Sequence, residues 1–125
     1  MTPELKEKSL AFALRIVKLY RYLSEKKKEQ LLSRQVFRSG TAIGILVREA
    51  ELCPTEKERA QIIENAVMKT AETEYWISLL KSEEYITDKM LESIEPDIQE
   101  LYTLLKSVAK PKKTVKKKTS AAKKK

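Results

Sequence analysis

Apolar residues recur along this chain at alternating spacings of three and four, the pattern of helices that each bury one face. In the first segment Leu5, Ser9, Phe12, Ile16, Leu19 and Leu23 share one stripe. Thr2 can cap that helix, Pro3 suits its first position, and Glu4 favours the positive end of its dipole. The spacing predicts a helix over residues 3–24, followed by a polar connection to residue 28. A second helix over residues 29–52 is ended by Cys53-Pro54, because a proline disfavours helical geometry in the residue before it. Thr55 with Glu58 three residues later reads as a capping box, opening a third helix that runs to residue 82. A fourth begins near Thr87 and carries Leu91, Ile94, Ile98, Leu101, Leu105 and Val108 on one seam. Pro96 sits off that seam and removes one backbone hydrogen bond, at about 3 kcal/mol unless the helix kinks. The unbroken seam predicts a kink. Short connections then give an all-α, antiparallel, up-down four-helix bundle.

The two central helices hold more apolar residues than one buried face requires. Ala42, Ile43, Ile45, Leu46, Val47 and Ala50 leave the second little polar circumference. In the third, Ile62, Ile63, Val67, Met68, Tyr75, Trp76, Leu79 and Leu80 go most of the way round. Their second faces are expected to form a homo-oligomer interface. Both glycines of the protein, Gly40 and Gly44, lie in the second helix, four residues apart on one face. Each costs roughly 1 kcal/mol there relative to alanine, so the pair predicts close approach of another backbone.

Charge changes the picture most. The formal net charge is +8, but it is unevenly divided. Residues 110–125 hold nine lysines and no acid, and one large apolar residue. That composition predicts a disordered, self-repelling tail after a folded domain of residues 1–109. Within the domain, residues 1–48 hold 11 basic and 4 acidic side chains, whereas residues 49–109 hold 6 and 14. Lysines bind phosphate as point charges without reading sequence. The candidate nucleic-acid contacts are therefore Lys112, Lys113, Lys116, Lys117, Lys118, Lys123, Lys124 and Lys125 in the tail. Lys18, Arg21, Lys26, Lys27, Lys28 and Arg34 form a candidate patch on the domain, with Tyr20 and Tyr22 as stacking partners.

Catalytic chemistry is poorly supplied. The chain has no histidine, which removes the usual base of hydrolytic triads and the Glu-x-x-His pairs of di-iron bundles. Glu72 and Glu74, two apart on a helix, point in different directions and make a poor carboxylate pair. The sole cysteine, Cys53, allows no internal disulfide or zinc cluster and reads as an inert thiol. No enzyme activity, metal or cofactor is expected. No apolar run approaches the ~20 residues of a membrane span, and the first residues lack a signal peptide's apolar region. A soluble, cytoplasmic protein is the expectation.

Two stretches carry a resemblance. The first is Gln35-Val36-Phe37-Arg38-Ser39-Gly40-Thr41-Ala42-Ile43-Gly44, followed by Arg48-Glu49-Ala50. The second is Lys69-Thr70-Ala71-Glu72-Thr73-Glu74-Tyr75-Trp76. With Phe12-Ala13 and Ile16-Val17-Lys18-Leu19-Tyr20, they resemble the 23S rRNA intervening-sequence protein family. Its pattern is Gln-x-x-Arg-Ser-Gly/Thr-x-x-Ile-Gly ending in Glu-Ala, then Lys-Glu-x-x-Glu-Thr-x-Tyr-Trp. This chain departs from it at Ile45-Leu46-Val47, where the family has a small or amide residue and then Asn, and at Thr70, where the family has Glu. The resemblance implies a bundle assembled as a homopentamer, encoded within insertions of bacterial large-subunit rRNA genes. The family is also similar to the accessory variability determinant of diversity-generating retroelements, a basic pentamer that binds nucleic acid and a reverse transcriptase. It thus implies a nucleic-acid-binding accessory protein, or alternatively a scaffold for a protein partner such as that polymerase. Arg38, Gly40, Gly44, Glu49, Lys69, Glu72, Tyr75 and Trp76 form the expected assembly motif. Its charged members read as a buried or interfacial network that fixes helix register.

Overall fold

A computed structural model describes residues 2–109. Helix α1 (Pro3–Arg21) runs on into one π-helical turn, Tyr22–Lys26; α2 spans Leu31–Glu51, α3 Glu56–Ser82 and α4 Asp88–Ala109. No strand occurs among the described residues. Each helix packs on the next, α2 most extensively on α3, while α1 touches α4 only lightly. Lys6 lies 3.4 Å from Glu51, Lys8 3.4 Å from Glu100, and Arg15 2.7 Å from Asp97. These pairs set α1 antiparallel to both α2 and α4. The start of α1, the α2–α3 turn and the end of α4 therefore share one end of the bundle. The α1–α2 and α3–α4 turns share the other. The expected lysine tail lies outside the described residues.

The caps explain where the helices begin and stop. Thr2 Oγ1 accepts from the Leu5 N–H at 3.2 Å, ahead of Pro3. The second helix begins two residues later than its pattern suggests: Gln30 holds the cap position without a side-chain bond, and Glu29 just before it supplies the capping carboxylate. The Glu29 carboxylate accepts from the N–H groups of Leu31, Leu32 and Ser33 at 3.1, 2.8 and 2.7 Å. Both oxygens of this buried acid thus have backbone donors, and Ser33 Oγ donates in turn to the Glu29 main-chain carbonyl at 2.8 Å. At α3, Thr55 Oγ1 accepts from the Glu58 N–H at 3.2 Å. The expected reciprocal half of that box is replaced: Glu58 Oε1 instead accepts from the Cys53 thiol at 3.5 Å.

The predicted stripes are the core. Leu5, Ser9, Phe12, Ile16 and Leu23 of the α1 segment are buried, as are Ile94, Ile98, Leu101 and Leu105 of α4. Against them lie Val36, Ile43 and Val47 of α2 and Ile63, Ile77 and Leu80 of α3. The α2–α3 contact also buries a polar pair, Ser39 Oγ and Thr73 Oγ1, 2.9 Å apart. α4 continues across Pro96. One turn earlier, the Ser93 carbonyl accepts from Arg15 of α1 at 2.9 Å, and the same guanidinium donates to Ser93 Oγ at 2.8 Å and Asp97 at 2.7 Å. Arg15 thus clasps the lightly packed α1–α4 seam, with the Lys8–Glu100 pair beside it.

The two glycines prove unalike. A methyl at Gly40 would lie 2.7 Å from Ile16 Cγ1, so α1 can pack there only against bare backbone. A methyl at Gly44 would have no neighbour nearer than the Ser9 carbonyl oxygen at 3.6 Å, an ordinary contact.

Candidate nucleic-acid interface

α1 ends in Lys18 and Arg21, its π-turn and the following residues carry Lys26, Lys27 and Lys28, and Arg34 stands in the first turn of α2. All six are exposed and lie toward one end of the bundle. Lys28 holds a left-handed backbone, φ 57°, which turns the chain so that the Glu29 N–H reaches the Leu23 carbonyl at 2.9 Å. Among the described residues none of the six takes part in an ion pair. The fold therefore leaves their charge available to solvent or an anion.

Two cations that the sequence pattern did not single out join them. Lys18, Lys89 and the clasping Arg15 line a groove of about 470 Å³ between α1 and α4, floored by Leu19, Tyr22, Ile86 and Met90. Only the antiparallel placement of α4 brings Lys89 there, so no local signal marks it. The same end also carries acids: Glu83 and Glu84 are exposed, while Asp88 is neutralised by Lys81 at 2.8 Å. Of the expected stacking residues, Tyr20 is already engaged, its ring 5.0 Å from that of Phe37. Tyr22 lies half-buried against the core.

The eight candidate tail lysines fall outside the described residues. Their point of attachment does not. Ala109 closes α4 at the far end of the bundle, and 22 helical residues separate it from Asp88, about 33 Å at 1.5 Å per residue. Folded patch and tail root are thus at opposite ends rather than on one continuous surface.

The expected assembly motif separates into parts. Lys69 Nζ donates to Glu72 Oε1 at 3.2 Å and Trp76 Nε1 to Glu72 Oε2 at 3.3 Å, with the Tyr75 ring edge-on to Trp76 at 5.4 Å. Partial burial raises the Glu72 carboxyl, but the bonds from Trp76 and Lys69 and the charges of Lys69 and Arg38 outweigh it, so its pKa falls below the ordinary value. Arg38 and Glu49 are exposed, not buried. Of the network expected to be buried or interfacial, the hydrogen-bonded part within the chain is the half-exposed Lys69–Glu72–Trp76 group, with the Arg38 charge acting on Glu72. α2 and α3 keep part of their surplus apolar surface outside: Ile45, Met68 and Tyr75 are 65, 69 and 59% exposed. Leu10 and Leu14 of α1, outside the buried stripe, are exposed as well. Their four-residue spacing off the buried seam was the signal.

These features define a class: a small helical bundle that presents free cations and large apolar side chains on its surface. No helix among the described residues is long and apolar enough to cross a membrane. Over residues 3–107 the chain matches the 23S rRNA-intervening sequence protein family, and it belongs to that family. It is also similar to a crystal structure of a protein of unknown function from the S23 ribosomal protein family of Bacteroides thetaiotaomicron. That likeness has a TM-score of 0.83 at 44% identity, over 86% of this chain and 99% of the other. No curated protein matches.

Proposed function

We propose that this protein is a non-enzymatic, self-associating, cytoplasmic accessory protein that binds RNA or DNA through phosphate contacts with weak sequence selectivity. The observation that carries the reading is the set of six exposed cations from Lys18 to Arg34, unpaired among the described residues, at one end of an otherwise acidic-to-neutral bundle. The nine lysines after Ala109 add a second positive element. Self-association is supported by the exposed large apolar side chains of α1, α2 and α3. The family resemblance makes five copies the expected number.

The test is the salt dependence of binding. Each phosphate neutralised contributes about 0.7 to 0.9 to the slope of log affinity against log salt. Deleting residues 110–125 should flatten that slope and weaken binding to unrelated sequences alike. A truncated protein with unchanged affinity and slope would make the tail a solubility device. A full-length chain that fails to bind either nucleic acid at moderate salt would end the reading.

A second reading, a scaffold for a protein partner such as a reverse transcriptase, is favoured by the acidic character of residues 49–109. It predicts that the body without its tail still retains a basic partner protein but no RNA.

A further inference from the structure

Gly44 presents a problem that the single chain does not answer. A glycine inside a helix costs about 1 kcal/mol relative to alanine, and Gly40 repays it by admitting Ile16. At Gly44 a methyl would meet nothing closer than 3.6 Å. The residue instead floors an open groove of about 440 Å³ between α1 and α2, walled by Leu10, Ala13, Thr41 and Ile45 and rimmed by Lys6 and Arg48. A floor without side chains serves a bulky group arriving from outside.

The same chain carries such groups on a different face. Met68 and Tyr75, two turns apart on α3, are both exposed, with exposed Ala71 between them. Glu64 and Glu72 border this ridge, and from Gln61 to Leu79 the lone cation, Lys69, is held by Glu72. Lys6 on the groove's rim is held by Glu51 and Glu72 on the ridge's border by Lys69, which leaves Arg48 as the groove's free cation and Glu64 as the ridge's free acid. Arg48 has no ion-pair partner among the described residues. Glu64 has none either.

We propose that the Gly44 groove is a socket for the Met68–Tyr75 ridge of a second copy of this chain. The contact is heterologous, joining two different faces, so every copy offers one socket and one ridge. Such contacts close into rings or run on as filaments. Gly44 is the shape determinant, and Arg48 meeting Glu64 sets the polarity. This rests on the self-association reading above and specifies which faces meet.

The experiment separates the two. Light scattering at micromolar concentration gives the mass of the full chain. Socket variants Gly44→Leu and Ile45→Glu, and ridge variants Met68→Glu and Tyr75→Glu, are measured alone and mixed, with helicity followed by circular dichroism. Ile45, Met68 and Tyr75 are exposed, so their substitution leaves the fold intact even if Gly44→Leu does not. Each variant alone should fall to the monomer mass of 14.5 kDa. A socket variant mixed with a ridge variant should give one particle of twice that mass, because one intact socket and one intact ridge remain. Variants that keep the full-length mass would overturn this interface while leaving self-association standing. Monomeric variants that stay monomeric on mixing would overturn the pairing of socket with ridge. A monomeric unmodified chain would remove self-association itself, and the socket with it.

Discussion

At the scale of single residues, side chains with the same spacing and type do different work. Gly40→Ala should lower stability, since the added methyl lies 2.7 Å from a branched core side chain and overpacking costs typically about 1–3 kcal/mol. Gly44→Ala should leave the isolated fold as stable or up to roughly 1 kcal/mol more so. Thermal melts of the two variants check the contrast. Tyr102 offers a second test. Burial first, then its 3.1 Å hydrogen bond to Glu74 and that carboxylate's charge, push its hydroxyl from 10.0 up to about 12. The folded state binds this proton more tightly than the unfolded one, so the linked stability is complete below pH 10 and is lost as pH rises through 10 toward 12. An absorbance titration of the folded protein should show one of its five tyrosines ionising late. Tyr102→Phe should remove that late phase; a titration unaltered by the substitution would refute the assignment. Glu72 behaves oppositely: its depressed pKa contributes stability above the ordinary carboxylate value, and this is lost as pH falls through the folded one.

At the scale of the helices, the ends are where pattern and geometry part. α3 finishes with Glu84 in the left-handed region, φ 64°. The Tyr85 N–H reaches the Leu80 carbonyl at 2.9 Å and the Glu84 N–H the Lys81 carbonyl at 3.0 Å. That is a Schellman ending, in which glycine is the usual residue at the left-handed position. Glu84→Gly should therefore raise stability by about 1 kcal/mol by removing the side-chain strain. A melting temperature that falls would show Glu84 contributing more than its backbone costs. The start of α2 was not legible because glutamate is an uncommon cap; only the buried geometry of Glu29 reveals it. The seam of α4 was legible through Pro96, whereas its clasp by Arg15 was not, since Ser93 and Asp97 lie about eighty residues away in sequence. Arg15→Ala removes three charge-assisted bonds at a partly exposed site and should cost about 1 kcal/mol.

At the scale of the molecule, charge is arranged by ends. The cationic patch at the α1–α2 turn and the root of the lysine tail are separated by the length of α4. Sites so far apart have no side chain in common, so each neutralises its own set of phosphates, and each phosphate adds its own increment to the salt slope. Charge reversal at Lys26, Lys27 and Lys28 and deletion of residues 110–125 should thus lower the salt slope of nucleic-acid binding by independent amounts that sum in the combined variant. A combined effect no larger than the deletion alone would mean that the patch does not touch phosphate.

The helix count, the buried stripes, the short antiparallel connections and the division of charge could all be read from the order of residues alone. Each follows from local periodicity or composition, which operate within a turn or two of the chain. Tertiary structure decided what those residues meet: that Gly40 receives Ile16 while Gly44 faces an open groove, that Arg38 and Glu49 stand in solvent, and that Arg15 closes α1 on α4. A helical period says which residues share a face, but not how far the neighbouring helix stands from it. That distance is set by the packing of all four helices at once, and the function of the exposed positions depends on it.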